Sequence, residues 1–151
     1  MVLNTRKEIG NAALSTAIAY FGSNGYIVSI PLNDTQDYDL VVDNGDRLQK
    51  VQVKGTNTKG TKNAYKVGLR TISGTTRKVC KTVNKTDIDL LFCLCGDGSM
   101  YLIPHEKIKN ESAINLSTQK SIYSKKSSID YSQYKVEMLS LIHISEPTRR
   151  S

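Results

Sequence analysis

This chain is poor in the residues that staple a protein together or embed it in a membrane. Its 151 residues include three cysteines, an odd and small number that argues against a disulfide framework. No apolar run approaches the length that spans a bilayer, and the opening residues do not read as a signal peptide. Together these absences point to a reducing, cytoplasmic setting. Histidine is scarce as well, with only His105 and His143. Zinc therefore has few candidates: Cys93 and Cys95 alternate with Leu94 in one apolar strand, and a tetrahedral site would have to borrow Cys80 and His105. Burial of both thiols as small hydrophobes is the expectation. His105 follows Pro104 at a helix start, where a structural role or a phosphate contact is expected.

A further absence is local. From Gly55 to Thr86 there is no acidic residue, while Lys59, Lys62, Lys66, Arg70, Arg77, Lys78, Lys81 and Lys85 are all basic. The whole chain carries a net charge of +7 with a pI near 9.3, which favours a polyanionic partner without identifying one. Gly, Thr, Ser and Asn fill the gaps in this segment, which reads as flexible and rich in small donors. Cations interleaved with donors and with Tyr65 suit phosphates and base edges. Lys59, Lys62, Tyr65, Lys66, Arg70, Arg77 and Lys78 are the candidate contacts to such a partner; the alternative is a solvated loop.

Periodicity places the elements. Residues 5 to 24 read as an amphipathic helix, with Ile9, Ala13, Ala17, Ile18 and Phe21 at helical spacing. Thr5-x-x-Glu8 has the form of a capping box, and Gly25 suits the helix stop. A short strand over 26–30 ends at Pro31. Another strand is expected over 65–70, and a second hairpin, 89–95 with 99–103, turns at Gly96-Asp97-Gly98. Pro104 suits the first turn of a short helix through Lys109. Beyond Asn110 the sequence shows no clear period. One domain is expected, of class α/β or α+β.

The most informative stretch is Tyr38-Asp39-Leu40-Val41-Val42-Asp43-Asn44-Gly45-Asp46-Arg47-Leu48-Gln49-Lys50-Val51-Gln52-Val53-Lys54. Asn44-Gly45 predicts a two-residue type I′ turn, which sets Asp39 opposite Lys50 and makes Gln52 its diagonal neighbour. Alternation puts Asp39, Lys50, Gln52 and Lys54 on one face and Val51 and Val53 on the other. In that register Asp37 lies opposite Gln52 and is the runner-up ligand. Asp43 and Asp46 fit turn chemistry. An Asp oxygen, a Gln carbonyl and the main-chain carbonyl of Val53 can hold a hard divalent cation, and Lys54 can steady charge on a phosphate. Lys54 also reads as a strand-end lysine that protects an edge.

These residues resemble the PD-(D/E)xK nuclease superfamily, in which an Asp opens one strand and a Glu-x-Lys sits on the next. The similarity is greater to its small homing endonucleases encoded in group I introns, where Tyr-Asp-Leu-Val-Val is followed by Gln-Val-Lys. It continues through Lys66-Val67-Gly68-Leu69-Arg70, Asp89-Leu90-Leu91-Phe92 and Tyr101-Leu102-Ile103-Pro104. The resemblance implies a restriction-endonuclease-like core, a mixed central sheet flanked by helices. It implies Asp39, Gln52, Lys54 and Glu8 as catalytic residues, with Asp39, Gln52, Val53 and Glu8 around Mg²⁺ or Mn²⁺. Glu8 is equally explained by its capping box. The implied activity is metal-dependent hydrolysis of double-stranded DNA, sequence-specific in the homing manner, by a symmetric dimer or tetramer. A restriction-type or Holliday-junction nuclease stays open, as does a DNA-binding module of nuclease ancestry, since Gln52 supplies less charge than the usual acid.

The end of the chain reads differently. Leu139-Ser140-Leu141-Ile142-His143-Ile144-Ser145-Glu146-Pro147-Thr148-Arg149 resembles the translation of a sequencing-library adapter. The nuclease-like domain is therefore expected over 1–138, with the basic 55–86 segment as its DNA-contacting insertion. Residues 139–151 are expected to be a non-native tail, a short native amphipathic tail being the alternative.

Overall fold

The computed structural model describes residues 5–60, 63–73, 79–82, 87–109, 112–117 and 129–139. Helix α1 (Arg6–Ser23) opens with the expected capping box. Thr5 Oγ1 accepts the Glu8 amide at 3.1 Å, and the Glu8 carboxylate accepts the Thr5 amide at 2.9 Å. It ends where Gly25 takes a φ of 81°, a conformation that glycine adopts without a steric cost. Ala13, Ala17 and Phe21 form its buried stripe.

Among the described residues ten strands follow: β1 (Ile27–Ser29), β2 (Leu40–Asp43), β3 (Leu48–Thr56), β4 (Tyr65–Gly68), β5 (Arg70–Ser73), β6 (Val79–Thr82), β7 (Leu90–Cys95), β8 (Met100–Pro104), β9 (Ala113–Leu116) and β10 (Lys135–Val136). Six of them make the central sheet in the order β1-β2-β3-β7-β8-β10. Every neighbouring pair there is antiparallel except β3 with β7, which is parallel. The sheet is thus mixed, as expected for this fold class. Strand β7 lies between two covered faces, which explains its unbroken apolar run Leu90–Cys95.

Each face has its own core. On one, Ala17 and Phe21 of α1 meet Leu40, Val42, Val51, Leu90 and Phe92. On the other, β4 and β9 pair as a two-stranded layer whose Tyr65, Val67, Leu69, Ile114 and Leu116 cover Leu91, Cys93, Tyr101 and Ile103. Among the described residues a single α-helix flanks the sheet, and the second face carries this β-layer. Cys93 and Cys95 are buried, as their apolar strand predicts.

Three expectations need correction. The 55–86 segment is not simply flexible: β3 runs on to Thr56, β4 pairs with β9, and β5 pairs with β6 in a separate hairpin. Pro104 closes β8 rather than opening a helix, and only a 3₁₀ turn, His105–Lys107, follows it. The region past Asn110 supplies β9 and β10, too short and too Ser-rich for a period to show.

Candidate active site

The β2–β3 hairpin carries the candidate residues, in a register that differs from the sequence-based one. Asp43 pairs with Leu48, so the loop is the four residues 44–47. Asn44 Oδ1 accepts the Asp46 and Arg47 amides at 2.9 and 3.0 Å, and Asp43 Oδ1 accepts the Gly45 amide at 2.8 Å. Side-chain oxygens that bond their own backbone favour this wider turn, and only Gly45 of the Asn-Gly pair takes a positive φ. The pairing shifts by two residues. A two-residue shift preserves which side chains share a face. Extended by one step beyond Leu40–Val51, it sets Asp39 beside Gln52, not Lys50, and removes Asp37 from that place.

At Asp39 the main-chain ladder opens and the side chain takes over. The Asp39 amide donates to the Val51 carbonyl at 2.8 Å, while its Oδ2 accepts the Val53 amide at 2.7 Å. In an extended strand the two polar groups of one residue project to the same edge, so the Val53 carbonyl also faces the edge that Asp39 occupies. Gln52 is buried, and its amide nitrogen donates to the Asp37 carbonyl at 3.2 Å. Asp37 thus orients Gln52 through its backbone, a role that its charge did not suggest.

Lys54 completes the group on the same face of β3. It pairs in register with Cys93 of β7, which in turn faces Tyr101 of β8. Burial pushes the Cys93 thiol well up, so a neutral, apolar wall stands beside the lysine. Burial lowers the Lys54 pKa, against the opposing pull of Asp39. Asp39 keeps an exposed rim, yet crowding raises its carboxyl; the Val53 hydrogen bond and Lys54 act in the other direction. Each charge is thus held where water stabilises it poorly.

The remaining candidates divide. Glu8 is engaged in its capping box, on a helix that covers the opposite face of β3. Its turn presses closely on the strand: a Cβ on Gly55 would lie 2.7 Å from both Cγ2 and the carbonyl oxygen of Ile9. Lys50 belongs to another cluster, with an ion pair to Asp87 and an amide bond to Asp89 Oδ2 at 2.8 Å. Lys59, Lys66 and Arg70 are exposed. Tyr65, expected at the DNA surface, is instead buried in the core with the Lys59 ammonium 3.8 Å from its ring centroid. A ring packed in this way supports Lys59 and is not a stacking platform for bases. Lys62, Arg77 and Lys78 lie outside the described residues. The His105 amide donates to the Asp89 carbonyl at 2.9 Å, tying the end of β8 to the start of β7. Cys93 beside Lys54 was not singled out as part of the site by sequence, because a parallel β3–β7 pair leaves no local signal.

Among solved structures, the bacterial homing endonuclease I-Ssp6803I is similar at a TM-score of 0.70 and 26% identity, over 87% of this chain and 89% of that one. MepB is similar only at a TM-score of 0.41 and 14% identity, over 76% of this chain and 87% of that one. No curated protein matches the sequence. The family model of the PD-(D/E)XK endonucleases matches residues 4–136, from the residue before the helix cap to the last residue of β10. The fold, the hairpin and that match agree: this chain belongs to the PD-(D/E)XK endonuclease family.

Proposed function

We propose that the protein is a metal-dependent endonuclease that hydrolyses double-stranded DNA at specific sequences, in the homing manner. The observation that carries this reading is the convergence of Asp39, Gln52 and Lys54 at the point where the β2–β3 ladder opens. The donor chemistry fits a hard cation: a carboxylate, a carboxamide and the Val53 carbonyl are all oxygens. It is a lean set, since among the described residues no three His, Cys, Asp or Glu side chains converge. Asp39, Gln52 and Val53 would hold Mg²⁺ or Mn²⁺, and Glu8, bound in its capping box, would reach it only through water.

When bound, such a cation polarises the phosphate and makes a water molecule more acidic. The protein's own residues do the rest. The Val53 amide fixes one oxygen of Asp39, leaving Oδ1 as its second donor. The Asp37 carbonyl holds the nitrogen end of Gln52, so Oε1 is the end that can face a cation. Lys54 places a positive charge where it can steady the nucleophile or the negative charge building on the phosphate. Lys59, Lys66 and Arg70, with Lys62, Arg77 and Lys78 from the same basic segment, would contact the DNA. Two symmetry-related copies would present two sites to the two strands.

The test is cleavage of duplex DNA by purified protein in Mg²⁺. Asp39→Ala should abolish it, a loss of several kcal/mol, on the order of the Lewis-acid contribution of a metal. Undiminished cutting by that variant would sink the assignment. Gln52, neutral where the family usually has an acid, favours a second reading, a binding module that no longer cuts. Calorimetry that finds tight DNA binding but no divalent-cation binding would favour that module.

A further inference from the structure

The outer face of the β4–β9 layer carries a pattern that the cleavage chemistry does not use. Along this stretch, buried Tyr65, Val67 and Leu69 alternate with exposed Lys66, Gly68 and Arg70. Strand β9 answers with buried Ile114 and Leu116 around exposed Asn115, which lies directly opposite Lys66. Next along the ladder Gly68 faces Ala113. That end of the ladder therefore rises no higher than a methyl group.

Asn115 has a seat of its own. A Cβ on Gly60 would lie 2.8 Å from Asn115 Oδ1 and 3.6 Å from Lys66 Cβ, so the bare glycine is what leaves room for the carboxamide. The layer is also tied to the active strand. Thr56 Oγ1 donates to the Lys66 carbonyl at 2.7 Å, and the Lys66 amide donates to the Thr58 carbonyl at 2.9 Å. Thr56 follows Lys54 by two positions and shares its face of β3.

We infer that this ribbon enters the major groove of double-stranded DNA, with Asn115 as the specificity-determining residue and Lys66 and Arg70 as flanking contacts. A two-stranded ribbon fits that groove, and a carboxamide matches the acceptor and donor of adenine, N7 and N6, with two hydrogen bonds. Neither β4 nor β9 carries an acidic residue, and the segment from 55 to 86 has none. The low Gly68–Ala113 end of the ladder, next to the Lys66–Asn115 pair on the same face, lets the backbone approach the base edges. The inference rests on the DNA-cleaving function proposed above and adds to it the group that chooses the sequence.

The test is selection from duplexes with a randomised core, bound without divalent cation by the wild-type protein and by Asn115→Ala, Asn115→Asp and Lys66→Ala. Wild type should enrich adenine at a defined position. Asn115→Ala should relax that preference by about tenfold, in the range of a lost two-bond contact to one base. Asn115→Asp, nearly the same shape with an acceptor in place of the donor, should move the preference toward cytosine. Lys66→Ala should weaken binding to every duplex and flatten the slope of log K against log salt by about 0.9. Thermal melts matching wild type exclude misfolding as the cause. Asn115→Ala and Asn115→Asp profiles identical to wild type would overturn the inference while leaving the nuclease standing if all variants still cut. A wild type that neither binds nor cuts any duplex would overturn the nuclease itself.

Discussion

Asp39 and Lys54 sit with their charges against the grain of their surroundings, and this sets both pH dependence and stability. Burial raises the Asp39 pKa from its usual value and lowers that of Lys54. If Asp39 works ionised and Lys54 protonated, the pH–rate profile should be a bell. Its alkaline limb should lie below the ordinary lysine pKa, while on the acid side the cation that Asp39 would hold opposes the upward push of burial on its carboxyl. A cleavage profile flat through both limbs would remove these two residues from the chemistry. The stability consequence has a definite sign. A raised Asp39 contributes stability below its unfolded pKa, which is lost as pH rises through the folded value; a lowered Lys54 contributes above its unfolded pKa, which is lost as pH falls through the folded value. At neutral pH both charges therefore cost stability. Lys54→Met should abolish cleavage yet raise stability by about 0.5–2 kcal/mol, the usual range when a strained functional residue is relieved. Denaturant melts of the two proteins decide it, and a less stable Lys54→Met would mean that the ammonium supports the fold.

Strand β3 is the element on which everything else is hung. It pairs with β2 on one side and β7 on the other, bears Gln52 and Lys54 on one face, and meets α1 with Gly55 on the other. Gly55→Ala should force α1 outward, because one of the blocking atoms is the Ile9 backbone carbonyl. The expected cost is about 1–3 kcal/mol, as for other overpacked contacts. A melting temperature equal to wild type would show that the helix yields freely. How much of this was legible depended on whether the cause was local. The capping box, the Gly25 stop and the alternation of Asp39, Gln52 and Lys54 are written in neighbouring residues, and all three appear in the fold. The turn at Asn44-Gly45 is wider than its two-residue signature predicts because the Asp43 and Asn44 side chains take backbone amides that a two-residue turn would use differently. Gly55 looked like a boundary to the basic segment, since nothing along the chain reveals that Ile9 lies above it. Tyr65 stands among the expected DNA contacts for the same reason: its burial comes from β7 and β8, which are distant in sequence.

Taken whole, the molecule is two unlike covers on one mixed sheet, with the candidate site at the edge of the β-covered side. The last described pairing is Val136 with Met100, and beyond it Met138 and Leu139 are 44% and 47% exposed. Residues 140–151 lie outside the described residues. Deleting everything after Met138 should leave the melting midpoint unchanged, since β10 retains its ladder; a clear fall would show that the tail belongs to the fold. The parallel junction between β3 and β7 has a consequence in time. Val51 and Leu90 are partners 39 residues apart (90 − 51), whereas α1 and the β2–β3 hairpin are near neighbours in the chain. Local contacts close quickly and distant ones wait on the entropy of the intervening loop. Lys54 therefore spends the early part of folding in water, an ordinary lysine with an ordinary affinity for its proton. Only when β7 docks and brings Cys93 alongside does it become the unusual one, so the step that completes the core is also the step that lowers its pKa.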